Sequence, residues 1–174
     1  EACLEAITNI LSAKLDDDIY REVTPVILEL LNMSLVAGDK YCSEKCFSFL
    51  NILLYKSSKL NDELLFYYPI LVYFITGKPQ GNPVRDIGLL PRIFQDIIKS
   101  SRVFGNRLDS FENMIGCFLN YIAKTGTQFL KSTDIYGIKF VDLLFEMIKK
   151  IGNECIRNNN YGDLCLSIRL LIGL

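Results

Sequence analysis

Residues 41–75 hold two helix-length apolar segments separated by a short polar break, and a pair of helices of this kind cannot bury itself. In the first segment Cys42, Cys46, Phe49 and Leu53 recur at spacings of four, three and four, with Phe47, Leu50 and Leu54 on an adjoining stripe. This is helical periodicity, and its apolar arc is wide enough for two neighbours. Glu44, Ser48, Asn51 and Tyr55 are left to face water. The second segment, residues 61–75, is more apolar still. Pro69 stands at its middle, where a lost helical hydrogen bond predicts a kink near Phe66.

The same pattern recurs along the chain. Residues 3–15 read as a first helix with Cys3, Leu4, Ile7, Ile10, Leu11 and Leu15 inward. Asp16, Asp17 and Asp18 interrupt it and suit the N-terminus of a second helix, residues 19–35. Val23, Ile27, Leu30 and Leu31 form the expected inner face there, and Pro25 predicts a late start or a mild kink. After a break at residues 37–39 comes the pair described above, and then the proline- and glycine-rich stretch 76–83, a loop. A fifth helix, residues 86–103, would bury Leu90, Ile93, Phe94, Ile97 and Ile98, with Pro91 early in it and residues 104–106 ending it. In a sixth, residues 109–124, Phe111, Met114, Ile115, Phe118, Leu119 and Ile122 oppose a polar side of Asn113, Gly116, Asn120 and Lys124. A seventh, residues 135–151, has two apolar stripes, Ile138, Val141, Phe145 and Ile148 beside Phe140, Leu144, Met147 and Ile151. Its outer strip is Lys139, Asp142, Glu146, Lys149 and Lys150, with Glu146 spaced to pair with Lys150. Residues 158–160 break the pattern, and an eighth helix from Gly162 would place Leu164, Cys165, Ile168, Leu171 and Ile172 inside.

Alternate helices thus begin near residues 2, 43, 87 and 134, at spacings of 41, 44 and 47. HEAT-type repeats have a period of roughly 40 to 47 residues. The expected fold is all-α, an α-α superhelix (HEAT/ARM-like solenoid) of about eight antiparallel helices in four repeats, with a closed helical bundle as the structural alternative. Residues 1–174 form one helical-repeat segment. Both ends run into apolar patterns, so the segment reads as a fragment of a longer solenoid.

The chain has no histidine, which removes the commonest general base and the commonest metal ligand. No catalytic set, metal site or cofactor motif emerges, and the expectation is a chain that is not an enzyme. Cys42 and Cys46 share a helical face, but they lie on the apolar stripe with Phe49 and Leu53, and a structural zinc site wants four ligands. Gly77, Lys78 and Gly81 do not make a phosphate loop, because GxxxxGK[ST] is not present and no strand precedes them. Asp62 with Glu63, and Asp109 with Glu112, fit helix starts. Tyr67, Tyr68 and Tyr73 could line pockets between repeats, or stand in the core with their hydroxyls reaching water. The densest acidic group, Asp16, Asp17, Asp18 and Glu22, is the candidate partner-binding site, for a basic partner; a solvated turn is the plainer reading. Six cysteines spread through helical segments favour a reducing compartment. A formal charge of -1 offers no bulk attraction to nucleic acid or anionic lipid. The longest apolar run, residues 64–75, is too short to span a membrane and contains Pro69.

The runs EACLEAITNILSAKL, IYREVTPVILELL, FYYPILVYFIT and FVDLLFEMIKK, with their spacings, resemble the C-terminal HEAT-repeat region of importin-β-type nuclear transport receptors (karyopherins), nearest to the importin seven and importin eight branch. The resemblance covers essentially the whole chain. It implies a non-catalytic importin segment that mediates protein–protein interaction in nucleocytoplasmic protein import, shuttling between cytoplasm and nucleus without direct nucleic-acid binding or membrane insertion. The family's partners are protein cargo, phenylalanine-glycine (FG) repeats of nucleoporins, and the GTPase Ran, bound chiefly through N-terminal repeats absent from this stretch. The acidic tract that the branch uses for basic cargo is not visible. Two other readings stand beside it: a HEAT-repeat scaffold or adaptor of a cytosolic multiprotein complex, and a helical accessory region of an enzyme.

Overall fold

Where the periodicity places helices, their ends are fixed by polar side chains and by glycine. The computed structural model describes residues 2–78, 89–100 and 110–174. Among these it has nine helices: α1 (Ala2–Ser12), α2 (Asp17–Ala37), α3 (Lys40–Lys56), α4 (Asp62–Thr76), α5 (Arg92–Ser100), α6 (Ser110–Thr125), α7 (Thr127–Lys131), α8 (Phe140–Arg157) and α9 (Tyr161–Ile172). Asp39 accepts the Cys42 N–H at 3.0 Å and Asn61 accepts the Leu64 N–H at 2.8 Å, so α3 and α4 are each capped by the residue before them. α2 stops at Gly38, whose φ of 68° lets its N–H and that of Asp39 turn back to the carbonyls of Leu35 and Ser34.

The protein is all-α and repeat-like. Helices α1, α3, α5 and α8 follow one another as one row of neighbours, and α2, α4, α6 and α9 as a second. The two rows interleave: α3 packs most extensively on α6 and on α2, and α4 packs on α8. One continuous core runs between them, from Leu11 of α1 to Leu170 of α9.

Several local expectations are corrected. α2 begins at Asp17, ahead of Pro25, so the proline does not delay it; Pro25 is exposed, and the carbonyl that it leaves without a helical donor, that of Arg21, is on a turn open to water. The expected helix over residues 61–75 is present as α4, with Pro69 buried within it. α5 starts at Arg92, directly after Pro91, while its predicted limits at residues 86 and 103 lie outside the described residues, as do residues 79–83 of the loop, residues 104–106 and Asp109. The short α7 was not anticipated. α8 begins at Phe140 instead of residue 135, because the Asp134 carboxylate takes the N–H groups of Tyr136 and Ile138 at 2.9 and 2.8 Å and Gly137 adopts a φ of 80°. That turn makes a single bridge between Thr133 and Lys139.

Faces were harder to assign than helices. In α1 Leu11 is buried, but Cys3 and Ile10 are exposed. Val23 and Leu30 of α2 sit at the edge of the core, whose face is instead Tyr20, Thr24, Ile27, Leu28, Leu31, Ser34 and Leu35. Phe145 of α8 is half-exposed. The polar side of α6 does not face water: Asn113, Gly116 and Asn120 lie half-buried against Asn51 of α3, itself expected to be outward. Asn120 donates to the Asn51 carbonyl oxygen at 2.7 Å, and the Asn51 amide donates onward to Asn113 at 3.4 Å. Glu146 pairs with Lys78 and not with Lys150, which is buried and donates to the Thr76 carbonyl at 2.8 Å. α9 is turned so that Asp163, Ser167 and Leu170 are buried, leaving Cys165, Ile168, Leu171 and Ile172 exposed and Leu164 half-buried.

The centre of the core is aromatic. The Tyr68 ring meets Phe118, Tyr121, Phe129 and Phe140 at centroid distances of 5.8, 5.5, 5.1 and 4.6 Å, the first three edge to face. Its hydroxyl donates to the Phe140 carbonyl at 2.8 Å, and the Tyr121 hydroxyl donates to the Leu64 carbonyl at 2.7 Å. One residue of α4 therefore holds α6, α7 and α8. Tyr68→Ala should destabilise the protein by about 3–5 kcal/mol through cavity formation, and Tyr68→Phe by about 1 kcal/mol through the lost hydrogen bond. Urea denaturation of the two variants tests that order; equal losses would show that the hydroxyl, and not the ring, carries the junction.

Candidate functional site

A chain without histidine has few ways to assemble chemistry, so the site has to be sought among carboxylates, thiols, lysines and exposed apolar side chains. Asp16, Asp17, Asp18 and Glu22 all lie exposed on the first turns of α2. Asp16 occupies the N-cap position with extended backbone, but its side chain makes no capping bond. Asp18 pairs loosely with Arg21 at 3.4 Å, both ends in water, where such a pair contributes little. Asp17 is engaged differently: its carboxylate accepts the Ser58 hydroxyl, and the Ser58 N–H at 3.5 Å, tying the start of α2 to the connection between α3 and α4. Behind this tie is a cleft of about 350 Å³ lined by Asp17, Tyr20, Arg21, Ser58, Lys59 and Asp62 among others. The acidic group is thus one surface at the head of α2, with one member already committed inside the protein.

Of the three tyrosines Tyr73 lines a cleft, and the hydroxyls of all three are engaged inside the protein. Tyr67 donates to Asn32 at 2.9 Å, Tyr68 to the Phe140 carbonyl, and Tyr73 to Asp134 at 2.5 Å. Burial pushes the Tyr67, Tyr68 and Tyr121 phenols up, so all three stay protonated as donors. A second cleft of about 330 Å³, lined by Leu35, Ile70, Tyr73, Phe74, Ile93 and Phe94, is apolar apart from Lys78, whose buried ammonium is neutralised by Glu146.

The thiols are arranged as core. Burial raises Cys46 to about 11 and Cys155 to about 12, and pushes Cys117 up further; Cys117 donates to the Phe47 carbonyl at 3.4 Å. Cys42 is half-buried, and its thiol is also raised, first by its hydrogen bond to Asp39. Among the described residues no three of Cys, Asp and Glu stand close enough to hold a metal ion.

What the sequence reading missed is an apolar ridge in water. Ile19, Val26 and Met33 of α2 are exposed, and they follow one another at intervals of seven. That spacing was legible, but the same residues fit a buried stripe equally well. Compared with family models, curated proteins and solved structures, the chain matches none.

Two outcomes follow from the geometry. The hydrogen bonds from the Ser58 hydroxyl and then the Ser58 N–H hold Asp17 below the usual carboxylate range. Its stabilising contribution is therefore fully present above the unfolded carboxylate pKa and is lost as pH falls through the lowered folded value. Carboxyl-detected NMR titration should show Asp17 titrating below the usual carboxylate range and moving up in Ser58→Ala; an unmoved Asp17 would dispose of the tie. Thiol labelling at neutral pH should modify Cys3 and Cys165 first and Cys42 more slowly, with Cys46, Cys117 and Cys155 modified only on unfolding.

Proposed function

We propose that this chain is a non-catalytic, protein-binding segment of an importin-β-type nuclear transport receptor. The observation that carries the reading is the pair of interleaved helical rows, the first with helices that begin 38, 52 and 48 residues apart and the second with helices that begin 45, 48 and 51 apart, packed on each other through α3 with α2 and α6 and through α4 with α8. Such an array can flex and present long surfaces to large partners. The sequence resemblance noted above supplies the transport assignment. On this reading the longer protein carries protein cargo between cytoplasm and nucleus, contacts FG repeats, and meets Ran through repeats outside this stretch.

The test is a pull-down of the full-length protein on immobilised FG repeats, with and without Ran loaded with GTP. Retention on the repeats together with Ran-sensitive cargo release is expected. Failure of both would move the protein to the scaffold reading, in which the same array organises a cytosolic complex.

A further inference from the structure

The longest helix among the described residues, α2, buries one side and leaves an ordered apolar seam on the other. Ile19, Val23, Val26, Leu30, Met33 and Ala37 recur at intervals of four, three, four, three and four, the spacing of the a and d positions of a coiled coil. Val23 and Leu30 lean on the core, whereas Ile19 is 40%, Val26 52% and Met33 63% exposed. On the solvent side the seam is bordered by Glu22, Glu29 and Val36. From Ile19 to Val36 it runs about 26 Å along the helix, roughly the length of a four- to five-turn partner.

We propose that this seam docks an amphipathic helix of a partner protein that carries Lys or Arg beside its own apolar stripe. Three observations select that occupant. The a and d spacing matches a helix laid nearly parallel, with knobs entering holes. The charged border is acidic, so a facing helix gains by placing cations opposite Glu22 and Glu29. A second copy is disfavoured, because α2 has one basic residue, Arg21, paired with Asp18, and would bring glutamates against glutamates. The inference rests on reading the array as protein-binding, and not on the transport assignment. Loss of FG-repeat binding would leave it standing, and its own failure would leave the transport reading untouched.

The probe is a synthetic peptide of about four heptads with Leu at a and d and Lys at e and g, compared with its counterpart carrying Glu at e and g. Like charges at e and g disfavour self-association of each peptide, which sedimentation of the peptides alone checks. Fluorescence anisotropy against the 174-residue chain at low salt should show the lysine peptide bound and the glutamate peptide weaker by on the order of tenfold. Val26→Glu with Met33→Glu should abolish binding, Val26→Ser with Met33→Ser should weaken it, and Glu22→Lys with Glu29→Lys should exchange the preference. All of these positions are exposed, so circular dichroism melting should show the fold retained. Equal binding of the two peptides, no binding of either, or binding indifferent to the Val26 and Met33 changes would overturn the proposal. So would a dimer in sedimentation that Val26→Glu with Met33→Glu dissociates, since it would assign the seam to a second copy.

Discussion

At Gly116 of α6 the Asn51 side chain of α3 fills the space a side chain would take: an added Cβ would lie 2.8 Å from its carboxamide nitrogen. This position sits within the most extensive helix contact among the described residues, that of α3 with α6. Around it Asn113 and Asn120 of α6 exchange hydrogen bonds with Asn51, and Cys117 reaches the Phe47 carbonyl. A close crossing built from carboxamides has a consequence that an oily one lacks. The Asn51 carboxamide both donates and accepts at this register, and a shift of α6 by one residue would leave these half-buried groups without each other. The apolar residues on either side supply the driving force for α3 and α6 to meet; the asparagines decide where.

The ends of the helices are held by the same economy of polar groups, reached across the array. Lys56 of α3 donates to the carbonyls of Leu11, Ser12 and Ala13 at 2.6, 3.1 and 3.1 Å, closing the C-terminus of α1. Lys124 of α6 donates to the Ser57 carbonyl at the end of α3, at 2.6 Å. Lys150 of α8 donates to Thr76 at the end of α4. In each case an ammonium meets the negative end of a helix dipole and carbonyls that have no helical donor. Each bond joins helices far apart in sequence, so the three lysines also fix the order of stacking. Their long aliphatic stems let them cross apolar ground to do so.

This explains what the sequence made legible and what it did not. Helix positions followed from apolar spacing, because burial needs a face and a helix delivers one every 3.6 residues. The caps followed less well: the sequence pointed to Asp16, Asp17 and Asp18 and to Asp62, whereas Asp16 makes no capping bond and the N-terminal N–H groups are taken by Asp39, Asn61 and Asn160. The destination of the polar residues did not follow. Lys124, Lys150, Asn51 and Asn120 have the same spacing whether they meet water or a neighbouring helix, and the choice depends on contacts more than sixty residues away. The acidic group was found, but not that Ser58 takes Asp17 out of it. Pattern locates a polar face, and tertiary packing decides whether that face is wet.

α9 shows how far polar satisfaction can override an apolar stripe. Asn160 caps the helix through the Asp163 N–H, and its amide donates to the Asp163 carboxylate at 2.7 Å and to the Ile98 carbonyl of α5 at 3.1 Å. That cluster is buried, so the helix is turned to keep Asp163 and Ser167 inside, and Ile168 and Ile172 go to solvent. The seam of α2 is exposed for a different reason: its buried side is apolar along most of its length, and the second stripe is additional. The two surfaces also differ at their borders. Beside the exposed residues of α9 stands Arg169 with no repeating charge, whereas α2 sets Glu22 and Glu29 one heptad apart along its ridge. Apolar area alone attracts any apolar area, while charges in register penalise every partner whose own charges fall wrongly. Of the two, α2 has the surface that can discriminate.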